Sequence, residues 1–176
     1  MSTDRARIDR LATIVFIVVI TVGCDQISKA AARAFLSSAH PITFFGGHLK
    51  FTLLQNVGAF LSLGARLPES SRFLVFSFGG SALILVGLYY LIFKEHLSNR
   101  SFIALNFVLG GSIGNQIDRL LFHGSVTDFL FLSWGPVHTG VFNLADMAVV
   151  FGAAFFLLGS WRRPSPSFDP DATTAG

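Results

Sequence analysis

Four long apolar stretches, separated by polar segments, set the pattern of the chain. The first covers residues 11–24, and the others cover residues 73–93, 101–122 and 141–161. Residues 73–93 contain no charged side chain, and a helix of that length spans about 31 Å, close to the thickness of a bilayer core. The pattern predicts an integral membrane α-helical protein with four transmembrane helices.

The first apolar stretch is short for a membrane span, because a helix over residues 11–24 measures only about 21 Å. Either the helix continues through Asp25 and Lys29, or the stretch belongs to a signal peptide. Basic residues before it and Cys24 at its end resemble a lipoprotein signal sequence. Thr21 stands where a branched aliphatic residue is expected, so we favour a transmembrane helix. We interpret Cys24 as a small buried apolar residue, since no basic neighbour would form a thiolate.

Strand periodicity follows the first span. Residues 42–45 and 48–54 flank Gly46-Gly47, which permits the positive φ angles of a two-residue hairpin turn. In the second segment the apolar and polar positions alternate, with Leu49, Phe51 and Leu53 between His48, Lys50 and Thr52. We expect a small extracytoplasmic β-rich element over about residues 40–65, and a loop at residues 59–72 that is a candidate lid.

Composition agrees with a membrane protein. The chain is 52% hydrophobic and 13% charged, with a mean hydropathy of +0.61, whereas soluble domains carry about 25% charged residues. No basic face interleaved with polar sequence indicates a nucleic-acid partner. We predict a cytoplasmic segment over residues 1–10, one membrane domain over 11–162, and a disordered cytoplasmic tail over 163–176, which is rich in Pro, Ser and Asp.

Basic residues indicate the orientation of the spans. They gather in the N-terminal segment, the loop at residues 94–100 and the C-terminal tail, which four spans place on one side of the membrane. These residues are Arg5, Arg7, Arg10, Lys94, Arg100, Arg162 and Arg163. The bias is incomplete, since the other loops carry Lys50, Arg66 and Arg72. With both termini in the cytoplasm, five polar residues converge on the extracytoplasmic side: Asp25, Asn56, Asp118, Asp128 and Asp146.

Three of these aspartates, Asp118, Asp128 and Asp146, lie within apolar or glycine-rich sequence. A carboxylate near a bilayer core is costly and marks a functional site by default. Two carboxylates that share a site do not both ionise near neutral pH, so one serves as a general base and the other as an acid. Such a pair activates water as aspartic proteases do, and it requires no metal and no cofactor.

Less specific interpretations stay open from the residues alone. Asp118 could form a structural ion pair with Arg119, and Asp128 could cap a turn. Asp146 could lie near a helix N-terminus, where its charge interacts favourably with the helix dipole. An ion or proton translocator would also place carboxylates in the membrane. A non-enzymatic scaffold is least favoured, because helix packing needs Gly and Ala rather than three aspartates. The five histidines show no metal-ligand spacing.

Five sequence blocks carry a resemblance to a known family. In order along the chain, they resemble the motifs of the bacterial lipoprotein signal peptidases of type II. The blocks are DQISK (Asp25–Lys29), QNVGAFLSLG (Gln55–Gly64), GNQIDR (Gly114–Arg119), GSVTDF (Gly124–Phe129) and FNLAD (Phe142–Asp146).

The resemblance implies an aspartyl endopeptidase of the bacterial inner (cytoplasmic) membrane, multi-pass, with its active site toward the extracytoplasmic face. We expect a monomer, although the sequence leaves the oligomeric state open. It would cleave a prolipoprotein just before its diacylglyceryl-modified cysteine, in contact with membrane lipid and without a metal or other cofactor.

The resemblance also assigns roles to residues. Asp128 and Asp146 match the family's catalytic pair. Supporting or substrate-binding roles fall on Asp25, Lys29, Asn56, Gly58, Asn115, Asp118, Arg119 and Asn143. Phe60 and Met147 depart from the family pattern, in which a small residue and a serine, respectively, are common. We expect these departures to affect the shape of the pocket rather than the reaction.

Overall fold

A computed structural model of the chain describes residues 2–58, 68–94 and 97–161. The α-helices are Ser2–Phe35 (α1), Glu69–Phe73 (α2), Gly80–Phe93 (α3), Asn99–Leu121 (α4) and Leu144–Trp161 (α5). The strands are Ile42–Phe44 (β1), Leu49–Asn56 (β2), Val126–Trp134 (β3) and Val137–His138 (β4). A π-helical stretch, Leu74–Gly79, joins α2 to α3. The tail 163–176, Phe60 and residues 59–67 of the predicted lid lie outside the described residues.

Two of the described helices, Arg7–Phe35 and Ser71–Phe93, are long and apolar enough to cross a membrane, and Leu144–Gly159 is a shorter apolar helix. The first helix continues through Asp25 and Lys29 to Phe35, as predicted for a transmembrane helix.

Cys24 is exposed on α1, so the prediction of a buried thiol is wrong. The residue lies on a helix whose outer face is largely apolar, where a small thiol needs no protein partner.

Large apolar side chains lie on the outside of the helices, and many polar ones lie inside. Phe16, Leu83 and Leu157 are all more than 60% exposed. Asp25, Lys29, Asn106, Asp118, Thr127 and Asn143 are each 0% exposed. An apolar exterior of this extent fits a lipid environment, where polar groups must find their partners within the protein.

Helix α4 lies at the centre of the bundle and contacts α1, α3 and α5. Its glycines permit this close packing. A Cβ at Gly110 would lie 2.8 Å from Thr21 Cβ, and one at Gly114 would lie 2.7 Å from Asp25 Oδ2. Side chains at these positions would push α1 away and displace the buried polar residues between the helices.

The four strands form one antiparallel sheet in the order β1-β2-β3-β4. The β1–β2 hairpin was predicted, but its turn is longer than two residues because Phe44 pairs with Leu49. Phe45 adopts a positive φ of 53° together with Gly46 and Gly47. The predicted element at residues 40–65 was also incomplete, since half of the sheet follows α4. Asp128, a candidate turn cap from the sequence, lies on β3 opposite Leu54.

Candidate active site

Asp128 is held at the buried end of the sheet. Its side chain is 1% exposed. Oδ2 accepts a hydrogen bond from Asn56 Nδ2 at 2.9 Å, and Oδ1 accepts one from Asn143 Nδ2 at 2.6 Å. Burial raises the pKa of Asp128 to about 7, and the charge of Asp146 adds to the rise, while the bonds from Asn56 and Asn143 oppose it. The carboxyl therefore exchanges its proton near neutral pH.

Asp146 lies in the first turn of α5, where it takes part in a reciprocal cap. Asn143 Oδ1 accepts the backbone N–H of Asp146 at 2.9 Å, and Asp146 Oδ2 accepts the backbone N–H of Asn143 at 3.3 Å. This exchange satisfies two free N–H groups at the start of the helix. Asp146 Oδ1 also accepts from Asn115 Nδ2 at 2.8 Å. The interpretation of Asp146 as a helix N-terminal carboxylate is therefore confirmed.

The helix predicted over 141–161 begins only at Leu144, because the preceding residues pair with the sheet. Phe142 forms a bridge with Leu130, and its backbone N–H donates to Leu130 O at 2.8 Å. The pairing places Asn143 between β3 and α5. From there its side-chain nitrogen donates to Asp128, and its side-chain oxygen and backbone N–H exchange hydrogen bonds with Asp146. One residue therefore joins the two predicted catalytic carboxylates.

A buried ionic cluster lies behind this pair, between α1 and α4. Lys29 Nζ lies 2.8 Å from Asp25 Oδ2 and 3.6 Å from Asp118 Oδ2, and it donates to Asn115 Oδ1 at 3.0 Å. Asp25 Oδ1 accepts the backbone N–H of Ala145 at 2.9 Å. Asp25, Lys29 and Asp118 are fully buried. The cluster therefore supports the site from behind.

Asp118 does not pair with the adjacent Arg119, so that sequence prediction is wrong. Consecutive residues on a helix point in different directions. The Asp118 carboxylate faces Lys29, lies 4.0 Å from Arg33 Nη1, and accepts the backbone N–H of Thr127 at 2.8 Å. The guanidinium of Arg119 interacts electrostatically with Asp146, and its buried Nε has no hydrogen-bond partner in the described part of the chain.

An apolar groove opens beside the pair. It lies between α3, α4 and α5 and has a volume of about 890 Å³. Asn115, Arg119 and Asp146 line it on the polar side, and its other walls are mostly apolar. Asp146 is half-buried at this groove, whereas Asp128 is buried behind it. A substrate lying in the groove would therefore contact Asp146 directly.

The remaining predicted residues have simpler positions. Asn56 ends β2, and its Oδ1 accepts the backbone N–H of Gly58 at 3.0 Å, which fixes the turn that carries Gly58. Met147 is half exposed in the first turn of α5 and is not part of the carboxylate pair. Within the described ranges, no group of three or more His, Cys, Asp or Glu side chains is placed to hold a metal ion.

Sequence reasoning missed three residues of the cluster. Gln26 Nε2 bonds to Asp25 Oδ2, Gly114 O and Asp118 Oδ1, all within 3.1 Å. Arg33 Nη1 donates to Thr127 Oγ1 at 3.0 Å. Gln26 and Thr127 lie inside the quoted sequence blocks, and Arg33 follows Lys29 by one helical turn, so spacing alone could have indicated them.

Comparison with known proteins identifies the chain. A sequence model described as signal peptidase (SPase) II, Peptidase_A8, matches residues 17–162. The chain belongs to the signal peptidase II family. It is therefore a peptidase of the aspartic type, and the predicted family and enzyme class are confirmed.

Relatives of this signal peptidase II family member cover most of its length. A lipoprotein signal peptidase of Hydrogenovibrio crunogenus is 35% identical over 86% of this chain and 87% of its own length. One of Paraburkholderia phymatum is 38% identical over 84% and 86%, and one of Streptomyces coelicolor is 34% identical over 97% and 79%. A solved bacterial membrane enzyme shares the fold with a TM-score of 0.77 at 22% identity, over 90% of this chain and 93% of that one.

Proposed function

We propose that this chain removes signal peptides from prolipoproteins by cleaving just before a diacylglyceryl-modified cysteine, with Asp128 and Asp146 as the catalytic pair. The observation that carries the proposal is the sharing of Asn143 by both carboxylates at the polar end of an apolar groove. The relatives named lipoprotein signal peptidases support the substrate class.

The proposed reaction uses one proton shared between two carboxylates. Water lies between Asp128 and Asp146, and the ionised carboxylate takes its proton as the oxygen attacks the scissile carbonyl. The protonated carboxyl donates a hydrogen bond to the carbonyl oxygen, on which negative charge develops. The tetrahedral intermediate then collapses, the C–N bond breaks, and the amine of the lipidated cysteine leaves with a proton. The chemistry requires no metal and no covalent intermediate.

The groove supports a lipidated substrate. Its walls are formed by apolar residues of α3, α4 and α5, and all three helices expose large apolar side chains on their outer faces. Acyl chains in the bilayer would enter sideways between α3 and α5 rather than from water. Asn115 and Arg119 line the same groove next to Asp146, where their N–H groups would bind the peptide backbone.

We place the active site toward the extracytoplasmic face of the bacterial inner membrane, with four spans and cytoplasmic termini in one membrane domain over residues 11–162. Asp25 and Asp118 lie in the C-terminal halves of α1 and α4, and Asp146 lies at the start of α5. Asp25 and Asp118 both bind Lys29, and Asp25 accepts the backbone N–H of Ala145, next to Asp146, so these three helix regions lie at one end of the bundle, as alternating span directions require. We propose that the protein acts as a monomer, because the carboxylate pair comes from a single chain.

The ion-translocator alternative receives less support. A conduction path needs polar groups through the depth of the membrane. In the groove, Asn115, Gln116, Arg119 and Asp146 lie together, and residues farther along, such as Val86, Leu105 and Phe156, are apolar.

Cleavage by purified protein in detergent tests the proposal. Lipidated and unlipidated forms of one precursor are compared, each with and without a chelator. We expect a gel shift for the lipidated form alone, unaffected by chelator. Asp128→Asn and Asp146→Asn should each lower turnover at least about 1000-fold, because each removes an acid or base of the pair.

Asp9→Asn is the matched control, since Asp9 is an exposed aspartate in the N-terminal half of α1. It should leave turnover unchanged. Near-normal turnover of either Asp128→Asn or Asp146→Asn in folded protein would refute the assigned pair, and cleavage of the unlipidated precursor would refute the lipid requirement.

A further inference from the structure

Lys29 is a fully buried cation that does not reach either catalytic carboxylate by a direct hydrogen bond. Its ammonium group lies against three oxygen atoms, Asp25 Oδ2, Asp118 Oδ2 and Asn115 Oδ1. Asp25 and Asp118 hold the ammonium from α1 and α4, and Asp25 is itself fixed by the backbone N–H of Ala145. The ammonium is therefore locked in position, and its remaining hydrogen bond is directed at Asn115.

The direction of that bond determines how the Asn115 amide is turned. An ammonium can only donate, so the atom of Asn115 that faces Lys29 must be the oxygen. Asn143 Nδ2 donates to the same oxygen at 3.0 Å. The nitrogen of the Asn115 amide is then left to face Asp146, and it donates to Oδ1 at 2.8 Å.

The two carboxylates consequently differ in their surroundings. Asp146 receives the directed N–H of Asn115, the backbone N–H of Asn143 and the positive end of α5, and it borders the groove. Asp128 lies on a strand and is 1% exposed. Asp146 combines fixed donors with contact to the groove. Asp128 also accepts two hydrogen bonds, but protein encloses it, and burial favours its neutral form.

We propose that Lys29 is a positioning residue that fixes the amide of Asn115 and so holds Asp146 as the ionised base of the pair, with the proton on Asp128. This inference rests on the proposed function of the pair and adds an assignment of the two roles. Asp128 then donates to the scissile carbonyl, and Asp146 takes the proton from water.

The charged and polar groups around the pair come from every neighbouring element. They are Lys29 from α1, Asn56 from β2, Asn115, Asp118 and Arg119 from α4, and Asn143 before α5. Among them, Lys29 is the cation that donates directly to Asn115, and the Asn115 amide donates to Asp146. Replacing Lys29 therefore acts on Asp146 through the Asn115 amide, and the loss of its charge also acts on Asp128.

The test compares Lys29→Met with Arg33→Met. Both remove a cation that faces Asp118 from α1, but Arg33 bonds to Thr127 rather than to Asn115. Without Lys29 the Asn115 oxygen keeps only the hydrogen bond from Asn143, so the amide is held less firmly toward Asp146, and the ionised base is then reached only at higher pH. We expect the acidic limb of the pH profile of kcat/KM to move to higher pH by about one unit in Lys29→Met, the size of effect that loss of one hydrogen bond would have. We expect no such movement in Arg33→Met.

A second variant guards against loss of folding. Lys29→Met combined with Asp25→Asn removes one charge of each sign, so the net charge of the cluster is unchanged. Infrared titration gives the same comparison without substrate. It follows the carboxyl band that is absent from Asp146→Asn and is therefore assigned to Asp146. That band should titrate at higher pH in the combined variant than in wild type.

Equal shifts in Lys29→Met and Arg33→Met, or no shift of the Asp146 band, would overturn the proposal. Failure of wild-type protein to cleave the lipidated precursor would instead refute the proposed function, while the infrared titration still decides the role of Lys29.

Discussion

The side-chain amide of Asn143 donates to Asp128 Oδ1 over 2.6 Å, although Asp128 lies on strand β3 and Asn143 precedes helix α5. The same side chain uses its oxygen to accept the backbone N–H of Asp146. One asparagine thus caps the helix and positions both carboxylates. The start of α5 and the geometry of the pair are therefore coupled, and a defect in one should affect the other.

Asn143→Ala should lose both roles. Loss of a helix N-cap costs about 1 kcal/mol of the free energy of unfolding. Turnover should fall further, by about 100-fold, because Asp128 and Asp146 lose the group that sets their separation. Thermal unfolding in detergent measures the first effect, and cleavage of the lipidated precursor measures the second.

Ser98→Ala is a matched control for the cap alone. Ser98 Oγ accepts the backbone N–H of Ser101 at 3.2 Å and caps α4, away from the carboxylates. Asn143→Ala should lose more stability than Ser98→Ala, because Asp128 and Asn115 each also lose the hydrogen bond that Asn143 donates, and Ser98→Ala should keep its turnover. Equal turnover in Asn143→Ala and Ser98→Ala would show that Asn143 serves the helix only.

Asn56→Ala should change the pH dependence of the reaction. The hydrogen bond from Asn56 lowers the pKa of Asp128, opposing the effect of burial that raises it to about 7. Removing the bond should therefore raise the pKa further, by about one unit for one hydrogen bond. If Asp128 must be protonated, activity falls as pH rises through its pKa, so the basic limb of the kcat/KM profile should move to higher pH in Asn56→Ala.

Gln55→Ala controls for damage to strand β2. Gln55 neighbours Asn56, but its side chain bonds to Thr127 Oγ1 at 3.3 Å rather than to Asp128. Its profile should match that of wild type. Movement of the acidic limb in Asn56→Ala, with the basic limb fixed, would mean that Asp128 is the base and would reverse the two roles.

The sequence predicted those features that depend on local periodicity. The apolar stretch at residues 73–93 is long enough to fix a helix by itself, and alternation at residues 48–54 identifies a strand. The convergence of Asp25, Asp118 and Asp146 followed from span direction alone. These predictions needed no knowledge of which side chains are in contact.

Features that depend on tertiary contacts were not predictable in this way. The segment around Asp128 has no clean alternation, because residues 126–129 are all buried, so its strand was missed. The partner of Asp118 was also missed, since Lys29 lies 89 positions earlier and is brought near only by packing of α1 on α4. The role of Asn143 depends on the pairing of Phe142 with Leu130, which sequence spacing does not reveal.

Two adjacent alanines of α5 test whether the groove binds the lipidated substrate. Ala153 and Ala154 are both exposed, but only Ala153 is among the residues that line the groove. Ala153→Phe should fill part of the space and compete with acyl chains, so KM for the lipidated precursor should rise about tenfold with little change in kcat, as expected for loss of uniform binding. Ala154→Phe adds the same ring on a neighbouring part of the helix surface and should keep the KM of wild type. Equal effects of the two substitutions on KM would mean that the lipid binds elsewhere, because only one of the rings enters the groove.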